Sequence, residues 1–245
     1  MPEENEIIFY DIPSAKVGAW SPNTWKTRYC LNYKRIPYKV VWIEYPDIAQ
    51  EMQKLGIAPT SQRDGKPHYT LPAIWDPKTK RGISDALLIA KYLDDTYPDK
   101  PTLFPPRART VQAPWNDLVD WPHLLPLLPF LLPATLWILN PASDPYFRRK
   151  SSVSMEELSP RGEKKTTEWK KIEEGFDMMD QQWFEKGDSF IMGDTVTFAD
   201  FALGGYLIWM RVCFGVDSEE WKDVSSWSNG RWGRFLKSLE KYEKF

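Results

Sequence analysis

The chain has 245 residues, 42% of them hydrophobic, so it is long enough to bury one large core or two modest ones. Lys and Arg number 32 against 34 Asp and Glu, and a formal net charge of -2 argues against nucleic acid or an anionic membrane as a partner. Two cysteines, Cys30 and Cys213, are too few for a disulfide framework and fit a reducing compartment, so we expect a cytoplasmic protein. The acidic first six residues are not typical of a secretory or transit peptide.

The first hundred residues alternate between strand and helix patterns. The apolar run 7–12 predicts a buried strand, 22–35 predicts a helix that ends before Pro37, and 38–45 is rich in β-branched and aromatic residues, as strands are. Strand, helix and strand at this spacing predict a βαβ unit with parallel strands. A helix over 48–55, a polar loop over 59–68, strands at 69–75 and 82–83 and a helix over 85–97 complete the order β-α-β-α-β-β-α.

Ser21 and Pro22 stand where the first helix begins. Serine can cap a free backbone N–H, and proline suits the first helical position because its missing N–H costs nothing there. A helix N-terminus also favours an anion, so the Ser21 hydroxyl can donate to a bound thiolate or oxyanion. Taken alone, the pair is more typical of a plain helix cap than of a catalytic group.

The second half reads as helical. One stretch, 121–133, is apolar but carries a proline every three or four residues, so it is neither one straight helix nor a membrane span. Its side chains fit either an interdomain or dimer core or the wall of a substrate pocket. The predicted segments are a helix over 107–121, a turn or two near 134–139, an exposed loop over 140–158, and helices over 159–186, 198–214, 221–224 and 228–242.

A capping box is predicted at the start of the helix over 198–214. Thr197 is followed three residues later by Asp200, and Val196 and Phe201 are spaced to form a hydrophobic staple. We interpret this box as structural, with no part in chemistry.

Together these features resemble the cytosolic glutathione transferases. The strand and helix order, with Ser21-Pro22 at the first helix and Leu71-Pro72 at the third strand, is similar to their thioredoxin-like domain. Residues 105–109 resemble their interdomain linker, and 193–200 resemble the folding signature of their helical domain. The resemblance implies an α/β thioredoxin-like domain over residues 5–100, followed by an all-α domain over residues 107–245.

Within that family, the chain is most similar to the fungal etherase-like class, called FuA. The run from Ser21 to Lys26, Ser-Pro-Asn-Thr-Trp-Lys, and the run from Tyr92 to Pro98 are similar to marks of that class. The resemblance implies that Ser21 is catalytic and that Leu71-Pro72 has a cis peptide bond, which for proline costs only about 0.5–1 kcal/mol. The residues that it assigns to glutathione are Asn23, Lys66, His68, Leu71, Pro72, Ser84, Asp85 and Ala86. Those expected at the acceptor substrate are Trp20, Trp121, Leu125 and Phe130.

The chain departs from the family at the start of the third helix. The family has an acidic residue followed by Ser, whose hydroxyl holds the γ-glutamyl carboxylate, whereas this chain has Asp85 followed by Ala86. Asp85 can still meet the γ-glutamyl amine, the N–H of Ala86 can meet the carboxylate, and Ser84 can supply the missing hydroxyl. The loss of one charge-assisted contact is worth roughly 1.5–3 kcal/mol, so we expect weaker glutathione binding.

The function implied is a glutathione transferase that acts on electrophilic or aryl-ether aromatic compounds, in detoxification or the metabolism of wood compounds. Glutathione is the expected co-substrate and a homodimer the expected assembly. No metal is expected, because His68 and His123 lack the spacing of metal ligands. The alternative is a non-catalytic ligandin that binds aromatic polyphenols, as the 13 tryptophans would allow. A transferase needs glutathione for turnover, and a ligandin does not turn over.

Overall fold

A four-stranded mixed sheet organises the N-terminal part of the chain. The computed structural model describes residues 6–120, 122–149 and 151–244, with backbone only for 118–120. Its strands are β1 (Ile7–Asp11), β2 (Tyr38–Trp42), β5 (Ala73–Asp76) and β6 (Arg81–Ser84), in the order β2-β1-β5-β6. The central strand β1 pairs in parallel with β2, as the βαβ prediction requires, and antiparallel with β5, which pairs antiparallel with β6.

Three helices and a small hairpin accompany the sheet. The helices are α1 (Pro22–Tyr33), α2 (Ile48–Lys54) and α3 (Ala86–Thr96). Where the sequence predicted only a polar loop, β3 (Ser61–Arg63) pairs with β4 (Lys66–His68). The hairpin turns at Asp64 and Gly65, which both have positive φ, and such an Asp-Gly pair is a strong hairpin signal. The strands are only three residues long and mostly exposed, so no apolar alternation marks them.

The C-terminal part is mainly helical in its described residues, apart from its loops and two isolated β-bridges within residues 190–195. Its helices are α4 (Ala108–Val111), α5 (Leu128–Thr135), α6 (Asp144–Arg148), α7 (Met155–Leu158), α8 (Gly162–Trp183), α9 (Phe198–Phe214) and α10 (Glu219–Leu239), the last interrupted by non-helical residues 227–230. Short 3-10 turns lie at Ala113–Asp120, Leu125–Leu127 and Leu136–Ile138. The predicted class, an α/β domain followed by an all-α domain, is confirmed. The limits 5–100 and 107–245 stay predictions.

Two segments differ from their predictions. The helix expected over 107–121 is short, because after α4 the chain tightens into a 3-10 turn with a kink at Asp117. The exposed loop expected over 140–158 instead contains α6 and α7, which bury Phe147 and Met155 to 1% exposure each. Few apolar residues anchor this polar, proline-containing stretch, so composition alone predicted a loop.

Helix α9 joins the two parts. It is buried through its first thirteen residues and packs against α1, where Phe201 stacks on Tyr29 with ring centroids 5.4 Å apart. Gly205 makes this close approach possible, because a Cβ there would lie 2.5 Å from the carbonyl oxygen of Pro22. The start of α1, which carries Ser21, therefore rests on the helical domain.

The start of α9 is held by the predicted Thr197–Asp200 pair. The backbone N–H and the hydroxyl of Thr197 both donate to Asp200 Oδ2, at 2.8 and 2.9 Å. The N–H of Ile191 donates to the other oxygen of Asp200 at 2.8 Å. The fully buried carboxylate thus satisfies three donors and ties the preceding loop to the helix.

Candidate functional site

A cavity of about 120 Å³ opens at the start of α1, between the sheet domain and helix α6. Its side chains come from the residue after β1, the start of α1, α2, the β3–β4 hairpin and the segment after it, and α6, so both domains contribute to it. Its lining residues are Ile12, Ser21, Asn23, Tyr45, Ile48, Arg63, His68, Tyr69, Thr70, Leu71 and Tyr146.

Ser21 occupies the helix-cap position without acting as a side-chain cap. Its backbone is extended, and its carbonyl oxygen accepts from the N–H of Trp25 at 3.0 Å, which starts α1. Its hydroxyl makes no capping hydrogen bond, although the residue is only 4% exposed. The hydroxyl therefore remains available to the cavity, beside the partial positive charge of a twelve-residue helix. The plain-cap interpretation that the sequence left open does not describe this geometry.

The hairpin forms one side of the cavity mouth. Arg63 and His68 line the cavity, and His68 Nδ1 lies 3.2 Å from the hydroxyl oxygen of Ser61. Lys66, the predicted neighbour of His68, is exposed and is not among the lining residues; Arg63, its partner across the hairpin, lines the cavity instead. Arg63 was missed because a polar loop gives no side-chain direction.

Leu71 lines the cavity, whereas Pro72, the next residue, is not among its lining residues. Their peptide bond is cis, and both residues are buried. In the described part of the chain, neither the N–H nor the carbonyl of Leu71 bonds to another backbone group. Both groups are therefore available to an extended ligand backbone at the cavity.

Two stacked tyrosines form the opposite wall. Tyr45 follows β2 and Tyr146 lies on α6; their rings are 5.3 Å apart and inclined by 11°. Burial raises the pKa of Tyr45, so its hydroxyl stays protonated at neutral pH. The sequence analysis missed both, because their proximity depends on a contact between domains.

Hydrogen bonds hold the segment before Tyr146 against the sheet domain. Glu44 accepts from the Nδ2 of Asn140 at 2.7 Å and from the hydroxyl of Ser143, which in turn accepts from the N–H of Tyr45 at 3.0 Å. Ser143 is fully buried. The tyrosine wall is therefore fixed by a polar cluster that spans the two domains.

The comparisons with known proteins agree along the whole chain. A family model described as the glutathione S-transferase N-terminal domain matches residues 20–96, and one described as the C-terminal domain matches residues 110–242. A glutathione S-transferase-like protein, ustS, of Aspergillus flavus is 33% identical over 93% of this chain and 87% of its own length. The chain belongs to the glutathione S-transferase family.

Two solved structures similar to this family member come from Ceriporiopsis subvermispora and Phanerochaete chrysosporium. The glutathione S-transferase CsGST63524 of Ceriporiopsis subvermispora, crystallised in complex with glutathione, is 43% identical, with a TM-score of 0.91 over 98% of this chain and 99% of its own. The glutathione transferase GSTFuA2 of Phanerochaete chrysosporium is 39% identical, with a TM-score of 0.90 over 98% of both chains.

At the start of α3 lie three residues predicted to bind glutathione: Ser84, Asp85 and Ala86. In this family member they make other contacts. The Ser84 hydroxyl donates to the carbonyl of Ala58 at 2.9 Å, so its single hydrogen is already engaged. Asp85, with φ of 80°, caps α3 by accepting from the N–H of Leu88 at 2.9 Å. Ala86 is buried as the first helical residue, and none of the three lines the cavity around Ser21.

Three of the four predicted acceptor residues, Trp20, Leu125 and Phe130, do not line the Ser21 cavity. Trp20 is 1% exposed, donates from Nε1 to the carbonyl of Pro13 and packs behind Tyr45. Phe130 packs on Trp169 and borders a different cavity, and Leu125 is 45% exposed on a 3-10 turn. An apolar sequence shows that a side chain avoids water without showing which cavity it borders.

The fourth acceptor candidate and the cysteine of α1 remain to be placed. Trp121, the fourth acceptor candidate, lies outside the described residues. Cys30 is fully buried, and burial raises its pKa, so it is no thiolate nucleophile. Among the described residues no group of three His, Cys, Asp or Glu side chains could hold a metal ion, and no helix is long and apolar enough to cross a bilayer.

A buried lysine lies next to the site. The side chain of Lys26 on α1 is enclosed, and desolvation lowers its pKa from 10.5 to about 8 despite the opposing charges of Asp117 and Asp85. Its ammonium also lies 5.6 Å from the ring of Tyr206 on α9. The charged form of this lysine therefore costs stability in the folded state.

The lowered pKa of Lys26 predicts that the free energy of unfolding rises at alkaline pH. Because the pKa of Lys26 is lower in the folded than in the unfolded chain, the unfolded chain binds more protons, and stability increases as the pH passes from 8 towards 10.5. The contribution amounts to about 2 kcal/mol between pH 7.5 and 9.5. Urea unfolding of wild type and Lys26→Met at both pH values measures this contribution as the difference between their pH dependences. Parallel pH dependences in the two proteins would contradict it.

Proposed function

We propose that the chain is a glutathione transferase of the serine type, in which the Ser21 hydroxyl activates the thiol of glutathione. The observation that carries the proposal is the Ser21 hydroxyl, which is buried at a helix N-terminus, unused as a cap and directed to a cavity. A thiolate placed there would accept the hydroxyl hydrogen and meet the positive end of α1. Both effects lower the pKa of the thiol, so more nucleophile exists at neutral pH.

The proposed reaction is attack of this sulfur on an electrophilic aromatic substrate. The thiol proton leaves to solvent, a carbon–sulfur bond forms, and the bond from that carbon to its leaving group breaks. With an aryl ether, the sulfur attacks the carbon that bears the ether oxygen, and a phenolate departs. The tyrosine wall, Tyr45 and Tyr146, supports an aromatic acceptor because stacked rings offer a flat apolar face with polar edges.

The rest of the cavity supports glutathione as co-substrate. The open backbone groups of Leu71 suit the cysteinyl peptide, and Arg63 and His68 at the mouth suit the glycine carboxylate. Asn23 lies beside Ser21 in the same lining. Lys66, Ser84, Asp85 and Ala86 remain predicted contacts of glutathione. Asp85 is the acidic group predicted to meet the γ-glutamyl amine.

Replacement of Arg63 tests the glycine end. We expect Arg63→Ala to weaken glutathione binding about tenfold, because a hydrogen bond to a charged group is worth about 1.5–3 kcal/mol and this arginine is partly hydrated. Lys66→Ala is the matched control, since it removes a cation from the same hairpin that does not line the cavity. Isothermal calorimetry with glutathione measures both. Equal losses of glutathione affinity in the two variants would show that Arg63 acts only through long-range electrostatics and makes no direct contact.

Turnover distinguishes the transferase from the ligandin. We would incubate the protein with a synthetic β-aryl ether or an activated aryl chloride, with and without glutathione, and follow release of phenol or chloride. Release that depends on both protein and glutathione supports the transferase. Saturable polyphenol binding with no glutathione-dependent release from either substrate would favour the ligandin, for which the many aromatic side chains remain the supporting feature.

A role in detoxification or wood-compound metabolism, a homodimer and a cytoplasmic location belong to the same proposal. The resemblance to the etherase-like class and the similarity to GSTFuA2 support the first, and family membership supports the other two. Light scattering of the purified protein measures the assembly directly.

A further inference from the structure

Lys26 connects the wall of the Ser21 cavity to the helical domain. Its Nζ donates to the side-chain Oδ1 of Asn23 at 2.9 Å and to the backbone carbonyl of Asn116. Asn23 lines the cavity with Ser21, whereas Asn116 belongs to the 3-10 turn after α4. The lysine side chain itself is buried and does not line the cavity. It can therefore affect a ligand only through its neighbours or its charge.

The contact fixes which way the Asn23 amide points. An ammonium only donates hydrogen bonds, whereas an amide has one accepting oxygen and one donating NH2 group. With its oxygen on Lys26 Nζ, Asn23 has its NH2 group left for the cavity. A reversed amide would set NH2 against the ammonium and leave a buried cation without this acceptor, which is costly. The lysine thus keeps a donor, rather than an acceptor, at the start of α1.

The same contacts continue to the start of α3. The Nδ2 of Asn116 donates to Asp85 Oδ2 at 2.9 Å, while the other oxygen of Asp85 caps α3. Asp85 and Asp117 are the charged groups that act on the Lys26 ammonium, and Tyr206 faces it from α9. The buried ammonium of Lys26 therefore links α1 to the start of α3, where the γ-glutamyl end of glutathione is expected to bind.

We propose that Lys26 is a positioning residue of the glutathione site, which orients the amide of Asn23 so that its NH2 group donates to the thiolate beside Ser21. The inference rests on the proposed function, because it concerns the sulfur that Ser21 activates. Lys26 touches neither substrate. Its effect passes through Asn23, and this predicts a particular relation between changes at the two residues.

The experiment compares Lys26→Met, Asn23→Ala and the double variant. We would measure the pKa of bound glutathione from thiolate absorbance in the ultraviolet, together with the pH profile of kcat/KM. In Lys26→Met we expect that pKa to rise by about one unit, which lowers kcat/KM about tenfold at pH 6.5 and little at pH 9. The double variant should match Asn23→Ala, because the lysine has nothing left to orient.

Lys34→Met is the matched control. Lys34 is equally buried at the other end of α1, where its Nζ pairs with Asp94 at 2.8 Å and donates to the carbonyl of Pro101. Its loss should reduce stability without moving the pKa of bound glutathione. If Lys26→Met does not fold, Lys26→Gln replaces it as the test variant. It retains an amide donor and should show a smaller rise in that pKa than Asn23→Ala.

Several outcomes would overturn the proposal. An unshifted pH profile in Lys26→Met, or additive effects of Lys26→Met and Asn23→Ala, would show that the lysine does not act through Asn23. Wild-type protein that turns over with glutathione, with Lys26→Met indistinguishable from it at every pH, rejects the positioning role alone. Wild-type protein that neither binds glutathione nor forms the thiolate rejects the proposed function, and the positioning role with it.

Discussion

Ser21→Ala is expected to lower kcat/KM about 10²–10³-fold, the usual effect of removing one donor from a developing or bound anion. The pKa of enzyme-bound glutathione should rise in the same variant, because the thiolate loses its hydroxyl partner. Stability should change little, since the side chain of Ser21 makes no capping bond. Steady-state rates, thiolate absorbance and a thermal melt measure the three quantities on one preparation.

Ser218→Ala is the comparison variant for Ser21→Ala, because it should lose stability and keep its activity. Ser218 is also a serine at a helix cap, but its hydroxyl oxygen does accept from the N–H of Trp221, at 3.0 Å, at the start of α10. Its replacement should cost about 1 kcal/mol of stability and leave the rate unchanged. The catalytic assignment of Ser21 would be wrong if Ser21→Ala retained its rate and lost stability as Ser218→Ala does.

Gly205→Ala is expected to have the largest effect on the fold around the site. The new Cβ would lie 2.5 Å from the carbonyl oxygen of Pro22 and 3.4 Å from Cβ of Trp25, so α9 and α1 must separate. Overpacking against backbone cannot be relieved by a rotamer change, and we expect a loss of about 3 kcal/mol. Because α1 carries Ser21, activity should fall as well. Urea unfolding and kcat/KM measure the two losses.

Gly204→Ala is the neighbouring control. A Cβ there would lie 2.5 Å from Cδ1 of Leu239 and 3.2 Å from the ring of Tyr29. The end of a leucine side chain can rotate away, so we expect a smaller loss of stability, about 1 kcal/mol. A Gly204 variant less stable than the Gly205 variant would show that side-chain packing, rather than the backbone approach, limits this helix contact.

Local chemistry made part of this structure predictable from sequence. A Ser-Pro pair before an amphipathic run favours a helix start, and α1 begins at Pro22. The Thr197–Asp200 spacing likewise predicts a helix start, and α9 spans the predicted residues. Each of these signals lies within a few residues of the feature that it predicts.

The acceptor side of the cavity was not predictable in the same way. Tyr45 and Tyr146 meet only because Glu44 binds Asn140 and Ser143 across the two domains, and no local pattern indicates such a pairing. The apolar stretch 121–133 fitted either a core or a pocket wall, and Phe130 in it packs on Trp169. An apolar stretch can be buried in several ways that satisfy the hydrophobic effect equally well.

The stacking of Tyr29 on Phe201 has a consequence for synthesis of the chain. A face of α1 belongs to the first domain by sequence, but it is covered by a helix translated about 170 residues later. The nascent first domain therefore leaves the ribosome with the aromatic rings of Trp25 and Tyr29 uncovered, and such surfaces bind chaperones or aggregate. Residues 1–100 produced alone should be poorly behaved in solution, and the full chain should unfold as one cooperative unit.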